Sequence, residues 1–395
     1  MSEPWLSILG LGENGLDGLT ETSRKLLNSA EAIFGGPRHL SLVGAGARGH
    51  EWPIPFSIEP VLALRGQKVV ILASGDPFWF GAGGSIASHL DPNEWVSVPT
   101  PSTFSLAANT QGWKLEETLC FGLHAAPFER LTPTLGRGVR AICTVRDGDA
   151  PAKLASYLTE TGFGASELTV MECLGGPRQR VRRTTAQDFA LQDIQAPVAV
   201  AIDCAGSKGM PRASGLPDSM FLSDGQMTKR PVRALTLSAL APRYGEHLWD
   251  IGGGSGSIAL EWCLAAPNAT ATSFEPKDTR CANIRQNAER FGLSHRLQTV
   301  HGSAPAILQG HAKPDAVFIG GGNSATLLTE LWQTLPEGTR IVANAVTLET
   351  ECLLMNWHAA KGGHLLRAEL SETAPLGRMR GWNAARPILQ WSVTR

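Results

Sequence analysis

The run His247-Leu-Trp-Asp-Ile-Gly-Gly-Gly-Ser-Gly-Ser257 restricts what this chain can fold into more than any other stretch. It ends a predicted strand (Leu248 to Ile251) and opens a predicted helix (Ile258 to Leu264), the context a ligand-binding loop requires. Gly252, Gly254 and Gly256 let the backbone bend tightly and approach a ligand that any Cβ would obstruct, and Asp250 is placed to organise the loop or to receive a ligand's amino group. Glu275 stands just past the next strand, where a carboxylate accepts both hydroxyls of an adenosine ribose. A nicotinamide dinucleotide would use the same geometry. Against it, the loop reads G-x-G-x-G with Ser257 in the sixth place, and no hydride-transfer constellation follows. A strand-to-helix turn without ligand is the plain alternative.

The rest of the chain supports an α/β reading. At 395 residues it is long enough for two domains. Short apolar runs at Leu6 to Leu9, Ala32 to Phe34, Val69 to Leu72 and Ala141 to Val145, with a helix from Thr20 to about Ala30, punctuate the first half. After Val198 to Ile202 the Gly-, Pro- and Ser-rich stretch from Ala205 to Gly225 reads as a linker, which places domains at 1–205 and 227–395 with 206–226 between them. From Pro231 strands and helices alternate: a helix over Arg233 to Leu240, the pair around the glycine loop, Ala271 to Phe274, a helix from about Thr279 to Phe291, then strands Leu297 to Val300, Ala316 to Ile319 and Arg340 to Ala345. This predicts a mostly parallel, doubly wound sheet. Two apolar stretches, His364 to Leu370 and Pro387 to Val393, enclose the polar run Gly377 to Trp382 and predict an antiparallel edge.

Composition narrows the partners. With 35 Lys+Arg against 36 Asp+Glu, the net charge of −1 gives no global pull towards nucleic acid or membrane. The seven cysteines lie far apart with no C-x-x-C pair, so neither a disulfide framework nor a metal site is expected. The N-terminus, with Glu3 and Trp5, lacks a leader pattern, and no run approaches the ~20 apolar residues of a membrane span; a cytoplasmic location is expected.

Further motifs cluster at predicted strand ends. His301-Gly-Ser303-Ala304 stands where an adenine ring would lie against backbone, and Ile319-Gly320-Gly-Gly-Asn323 leaves room for a substrate. An Asn/Asp-Pro-Pro-aromatic tetrad, frequent in enzymes that methylate exocyclic amines, is missing there. In the first half Gly10-Leu-Gly12-Glu-Asn-Gly15 spells G-x-G-x-x-G, but neither an immediate helix nor an acidic residue after the next strand follows. It pairs better with Ala73-Ser-Gly75-Asp76-Pro-Phe-Trp-Phe-Gly81 as two loops around one ligand. Arg178, Arg180, Arg182 and Arg183 read as a solvated strand edge. Lys229, Arg230 and Arg233, with Arg378 and Arg380, are candidates to bind a polyanion, with plain surface charge as the alternative.

Together these segments carry a resemblance. Met227 to Leu235, Asp250 to Gly256, Asp315 to Gly322, Ala343-Asn344-Ala-Val-Thr-Leu-Glu349 and Gly377 to Trp382 resemble the decarboxylating precorrin methyltransferases of cobalamin synthesis. Gly10 to Gly12, Gly35 to Arg38, Ala73 to Gly81 and Pro101-Ser102-Thr103 resemble the tetrapyrrole methyltransferases. The resemblance implies a tetrapyrrole methyltransferase fold of two α/β subdomains followed by a class I Rossmann-like domain, with one S-adenosylmethionine in each. It implies a precorrin substrate methylated at carbons 5 and 15 and decarboxylated at the carbon-12 acetate, and a homo-oligomer. The expected cofactor residues are Asp250, Gly252, Gly254, Gly256, Glu275, Ser303, Ala304 and Gly320 in the second domain, and Gly10, Gly12, Gly75, Asp76, Ser102 and Thr103 in the first. Lys229, Arg230, Arg233, Asn323, Asn344, Arg378 and Arg380 are the expected substrate contacts. An RNA or protein methyltransferase, or a tetrapyrrole carrier with one inactive domain, are the competing readings.

Overall fold

The computed structural model describes residues 4–395, so Glu3 lies outside the described residues. The chain divides into two compact units: Met1–Phe128 with Thr134–Gly209, and Glu129–Pro133 with Met210–Arg395.

Unit 1 contains two five-stranded sheets. The first is built from β1 (Leu6–Leu11), α1 (Glu21–Ser29), β2 (Ala32–Gly35), α2 (Pro37–Val43), β3 (Gly49–Glu51), α3 (Glu59–Leu62), β4 (Val69–Ser74), α4 (Gly83–Ala87) and β5 (Trp95–Val98). Its order is β3-β2-β4-β1-β5 with every pairing parallel. Continuous apolar runs such as Leu6 to Leu11 fit a sheet buried on both faces. The chain then passes through α5 (Thr103–Gln111) into β6 (Leu119–Gly122), β7 (Arg140–Val145), α6 (Ala150–Glu160), β8 (Glu167–Glu172), β9 (Arg180–Thr185) and β10 (Val198–Asp203). That sheet runs β6-β7-β10-β8-β9 and is antiparallel except for β6 with β7. Arg180, Arg182 and Arg183 of the arginine run lie on the edge strand β9, with Arg178 just before it, but the run is not merely solvated: Arg180 and Arg182 both reach the buried carboxylate of Glu172 on β8, at 2.7 and 2.9 Å.

Unit 2 is a seven-stranded sheet, β13-β12-β11-β14-β15-β19-β16. Its elements are α7 (Arg230–Leu240), β11 (His247–Ile251), α8 (Ser257–Ala265), β12 (Thr270–Glu275), α9 (Asp278–Arg290), β13 (Leu297–His301), β14 (Ala316–Ile319), α10 (Ala325–Thr334), β15 (Arg340–Ala345), α11 (Leu348–Lys361), β16 (His364–Ala368), β17 (Ser371–Leu376), β18 (Met379–Ala384) and β19 (Ile388–Thr394). The first five strands of the order are parallel, and β19 is antiparallel to both β15 and β16. The antiparallel edge expected from the sequence is therefore present, with β19 one position inside it. Because β19 runs against β15, its first residues lie at the carboxyl edge of the parallel strands, beside the last residues of β16. The hairpin β17–β18 springs from that same edge.

The segment expected to be a linker is split between the units: 206–209 belong to unit 1, and 210–226 are a structural part of unit 2. Leu216 and Phe221 are buried in the core beside α7 and α8. The backbone N–H groups of Gly215 and Leu216 donate to the buried Glu261 carboxylate at 2.6 and 2.9 Å. Arg233 is fully buried beside them: its Nε donates to Glu261 Oε1 at 2.5 Å, Nη1 to Asp218 Oδ1 at 3.0 Å and to the Thr228 carbonyl, and Nη2 to the Leu216 carbonyl, while its guanidinium stacks 4.8 Å from the Phe221 ring. A low-periodicity segment can thus be ordered by polar bonds to a helix rather than by an apolar stripe.

Removing one partner of a buried ion pair leaves the other charge uncompensated, which costs about 3–5 kcal/mol. Arg233→Ala is expected to destabilise unit 2 by that amount in denaturant unfolding followed by tryptophan fluorescence. A loss below about 1 kcal/mol, typical of exposed pairs, would contradict the structural role.

Candidate functional site

The glycine loop is fixed by the ends of two neighbouring strands. Gly252 has φ of +72° and a Cβ there would lie 2.9 Å from the Gly321 backbone; Gly256, which caps α8, has φ of +75° and a Cβ there would lie 3.0 Å from Ile284. Both conformations disfavour L side chains, so glycine is required by the turn itself. Glu275, the last residue of β12, is buried; its Oε2 accepts the Gly254 N–H at 2.8 Å and its Oε1 the Lys277 N–H at 3.0 Å. Asp250 lies behind the loop, opposite Ser273 in the β11–β12 register, and accepts that hydroxyl at 3.3 Å. Its other oxygen is buried with no partner among the described residues. Burial pushes the Asp250 carboxyl up to about 7, with the Ser273 hydroxyl and the Ala259 backbone opposing the shift and the charge of Glu275 adding to it.

This loop opens on a cleft of ≈ 1120 Å³. A pocket for one drug-sized molecule spans roughly 300–1,000 Å³, so the cleft has room for a nucleoside-sized ligand and part of a second molecule. The walls come from three sources. Gly252, Gly253, Gly254, Glu275, Ser303 and Ala304 line the part over β11, β12 and β13, and Gly320 to Gly322 follow over β14. Met227 to Val232 contribute the approach to α7. Val346, Ala368, Leu370, Glu372, Asn383, Ala385, Arg386 and Ile388 form a third wall from the carboxyl edge of β15, β16 and β19 and the base of the hairpin.

Several expected residues therefore meet, and others do not. Gly252, Gly254, Glu275, Ser303, Ala304 and Gly320 share the cleft with Lys229, Arg230 and Asn344. Asp250 and Gly256 sit behind it. Asn323 does not line it; its Nδ2 donates to the Asn344 carbonyl at 3.1 Å. Asn344 is tied into a network, donating to Thr236 Oγ1 at 3.0 Å and accepting from Gln390 at 2.9 Å. Three expectations are corrected. Arg233 is committed to Glu261 and Asp218 inside the core, so no substrate can reach it. Arg378 and Arg380 stand at the turn and outer part of the exposed hairpin and do not line the cleft. Lys277, Arg280 and Arg386, unnoticed in the sequence, do line it. The signal for Arg386 was its place just before Pro387 and the strand that follows.

In unit 1 the loops after β1, β4 and β5 converge. A Cβ on Gly10 would lie 2.0 Å from the Gly75 carbonyl, which also accepts the Thr100 N–H at 3.1 Å, and Gly75 itself has φ of +59° against the Ser102 backbone. Ser102 caps α5, accepting the Ser105 N–H at 3.0 Å. Gly12, Gly75 and Thr103 line a small cavity with Glu13, Arg38 and Ser74. Asp76 does not line it; its carboxylate accepts the Phe78 N–H at 2.9 Å and shapes the next turn. The cavity measures ≈ 40 Å³, space for a few waters at most. Among the described residues no cluster of three or more His, Cys, Asp or Glu is arranged to hold a metal ion, and no helix is long and apolar enough to cross a membrane.

Comparison with known proteins covers both units. The profile of the precorrin methyltransferase domain matches residues 219–395, and that of the tetrapyrrole (corrin/porphyrin) methylases matches residues 6–190. A Sinorhizobium protein named precorrin-6Y C(5,15)-methyltransferase [decarboxylating] is 44% identical over 400 residues, covering 99% of this chain and 97% of the relative. A protein of the same name from Mycobacterium tuberculosis, strain CDC 1551 / Oshkosh, is 38% identical over 395 residues, covering 98% of this chain and 99% of its own. Among solved structures, the C-terminal domain of precorrin-6Y C5,15-methyltransferase from Rhodobacter capsulatus is 57% identical, covers 47% of this chain and 100% of that chain, and superposes with a TM-score of 0.46.

The buried Asp250 generates a pH dependence. Its carboxyl is raised in the fold from an ordinary 3.8 to about 7, so the folded protein holds a proton there that the unfolded chain releases. The resulting contribution to stability is complete below pH 3.8 and is lost as pH rises through about 7. Asp250→Asn lacks this titration. In denaturant unfolding without ligand, the variant is expected to gain about 2–3 kcal/mol on the parent between pH 5 and pH 8. A difference independent of pH would contradict the assignment.

Proposed function

Since the chain belongs to the family of decarboxylating precorrin-6Y C(5,15)-methyltransferases, we propose that it converts precorrin-6B to precorrin-8 with two molecules of S-adenosylmethionine. Methyl groups go to carbons 5 and 15, and the carbon-12 acetate loses its carboxylate as carbon dioxide, its methylene taking up a proton to remain as a methyl group. In this reading unit 2 methylates carbon 15 and removes the carbon dioxide, unit 1 methylates carbon 5, and each unit has its own cofactor site. The observation that carries it is the unit 2 cleft: a backbone cradle that a Cβ would fill, a buried carboxylate at its rim, and space beside them for a second molecule.

S-adenosylmethionine supplies a methyl group that its sulfonium already makes electrophilic, so the protein's task is alignment rather than covalent catalysis. Gly252 to Gly254 present main chain to that ligand without a Cβ in the way. Glu275 uses one lone pair of each oxygen on the N–H groups of Gly254 and Lys277, and the remaining lone pairs accept ribose hydroxyls. Asp250, behind the loop, supports its shape through Ser273. Ser303 and Ala304 offer a backbone edge for the adenine, and Gly320 to Gly322 leave space at the reacting carbon. Lys229 and Arg230, both exposed at the start of α7, meet the carboxylates of a substrate that bears many. For the decarboxylation, the apolar side chains of Val346, Leu370 and Ile388 keep water from an acetate held against them, which favours loss of its charge into the conjugated ring.

The unit 1 site is proposed on the convergence of Gly10, Gly12, Gly75, Ser102 and Thr103. A cytoplasmic homo-oligomer belongs to the same reading; exposed Leu376, Met379 and Trp382 on the hairpin support self-association.

Incubation of the intact chain with precorrin-6B and methyl-labelled S-adenosylmethionine is expected to transfer two methyl groups and release one carbon dioxide per tetrapyrrole. Glu275→Ala is expected to abolish carbon dioxide release and one transfer while the other persists. Two undiminished transfers in that variant would contradict the division of labour.

A further inference from the structure

The third wall of the unit 2 cleft carries an arginine whose placement sets it apart from the surface charges around it. Arg386 lines the cleft and is exposed. Arg280, on the same cleft, is held by Asp224 at 2.8 Å, and Arg367 on β16 by Glu369 at 3.2 Å, but no carboxylate among the described residues pairs with Arg386. Its backbone is nevertheless fixed from both sides. The Ala385 N–H donates to the Leu370 carbonyl at 2.8 Å, and Ile388 is paired with Ala368 in the β16–β19 register. Pro387 restricts the residue before it to extended backbone. A guanidinium on so rigid a stem loses little backbone freedom when it binds.

Topology brings this side chain to the chemistry. β19 begins at the carboxyl edge of the parallel strands, the edge where the glycine loop, Glu275 and Gly320 also lie. The apolar Leu370 and Ile388 lie on the same wall as Arg386. The carboxylate on that wall is Glu372 alone, while Lys229, Arg230 and Lys277 add three further cations without an ion pair among the described residues to the cleft. Its outer part is therefore cationic and fits a ligand with several carboxylates.

We infer that Arg386 holds a side-chain carboxylate of the tetrapyrrole through a charge-assisted, bidentate contact, and so sets the substrate's register against the methyl donor. This rests on the function proposed above. Lys or Arg near a cofactor can also bind the amino-acid carboxylate of that cofactor, so the test separates the two sources.

Carbon dioxide release is measured with precorrin-6B at saturating S-adenosylmethionine, alongside calorimetric binding of S-adenosylhomocysteine. Arg386→Ala is expected to raise KM for the tetrapyrrole about tenfold or more, the size of one charge-assisted bond, with the S-adenosylhomocysteine affinity unchanged. Arg386→Lys should recover part of the loss, since it restores the charge without the fork. The unchanged cofactor affinity also reports an intact fold. A KM within about twofold of the parent, or a rise confined to the S-adenosylhomocysteine Kd, would overturn the inference. If the parent chain binds S-adenosylhomocysteine but releases no carbon dioxide, the proposed function fails first and takes this inference with it.

Discussion

Glu275 and Asp250 are carboxylates buried at the ends of adjacent strands, and burying a carboxylate is unfavourable unless donors are brought to it. For Glu275 those donors are backbone N–H groups from the glycine loop and from the residue two positions on. The loop is thus drawn over the end of β12 by the need to satisfy the charge, and its glycines are what allow it to go there. Asp250 has a serine hydroxyl at 3.3 Å and the Ala259 backbone to oppose its burial, which nevertheless pushes its carboxyl up to about 7. The two groups impose different costs on the same loop: one is solvated by the backbone, the other is kept at the expense of stability. Sites that retain such costs are commonly functional.

A second buried charge organises the way into unit 2. Glu261 on α8 collects the Gly215 and Leu216 N–H groups and the Arg233 guanidinium, so the irregular segment before α7 is anchored to the helix that follows the glycine loop. The consequence reaches the cleft, because Met227 to Val232 descend from that anchored segment and carry Lys229 and Arg230 to its rim. Pro231 fits the first turn of α7, where a missing N–H costs nothing.

The strands and the glycine loop were legible in the sequence because each depends on local pattern, apolar runs of strand length and a turn that only glycine permits, and Glu275 stood out as a carboxylate at a fixed place after the next strand; its bond from the Gly254 N–H belongs to the fold. What was not legible depends on long-range geometry. Arg233 sits beside Lys229 and Arg230 in sequence, yet as the fourth residue of α7 it turns inwards to a helix twenty-eight positions away. Arg378 and Arg380 belong to a polar run that looked like a substrate loop, but the hairpin carries them out from the cleft while its base brings Arg386 in. The stretch 206–226 reads as a linker by composition; its order comes from Glu261 and from Asn287, which accepts the Leu222 N–H at 2.8 Å, partners that no local pattern discloses. The first-half loops were paired correctly as neighbours, but the closeness of Gly10 to the Gly75 carbonyl, and the narrow cavity that results, belong to the fold alone.

The central claim is that the glycine loop and Glu275 form one of two cofactor sites in this chain. Calorimetric titration of S-adenosylhomocysteine into the intact protein tests it most directly. The account predicts two sites per chain, with Glu275→Ala losing one and leaving the other unaltered. A single site that persists unchanged in Glu275→Ala would contradict it.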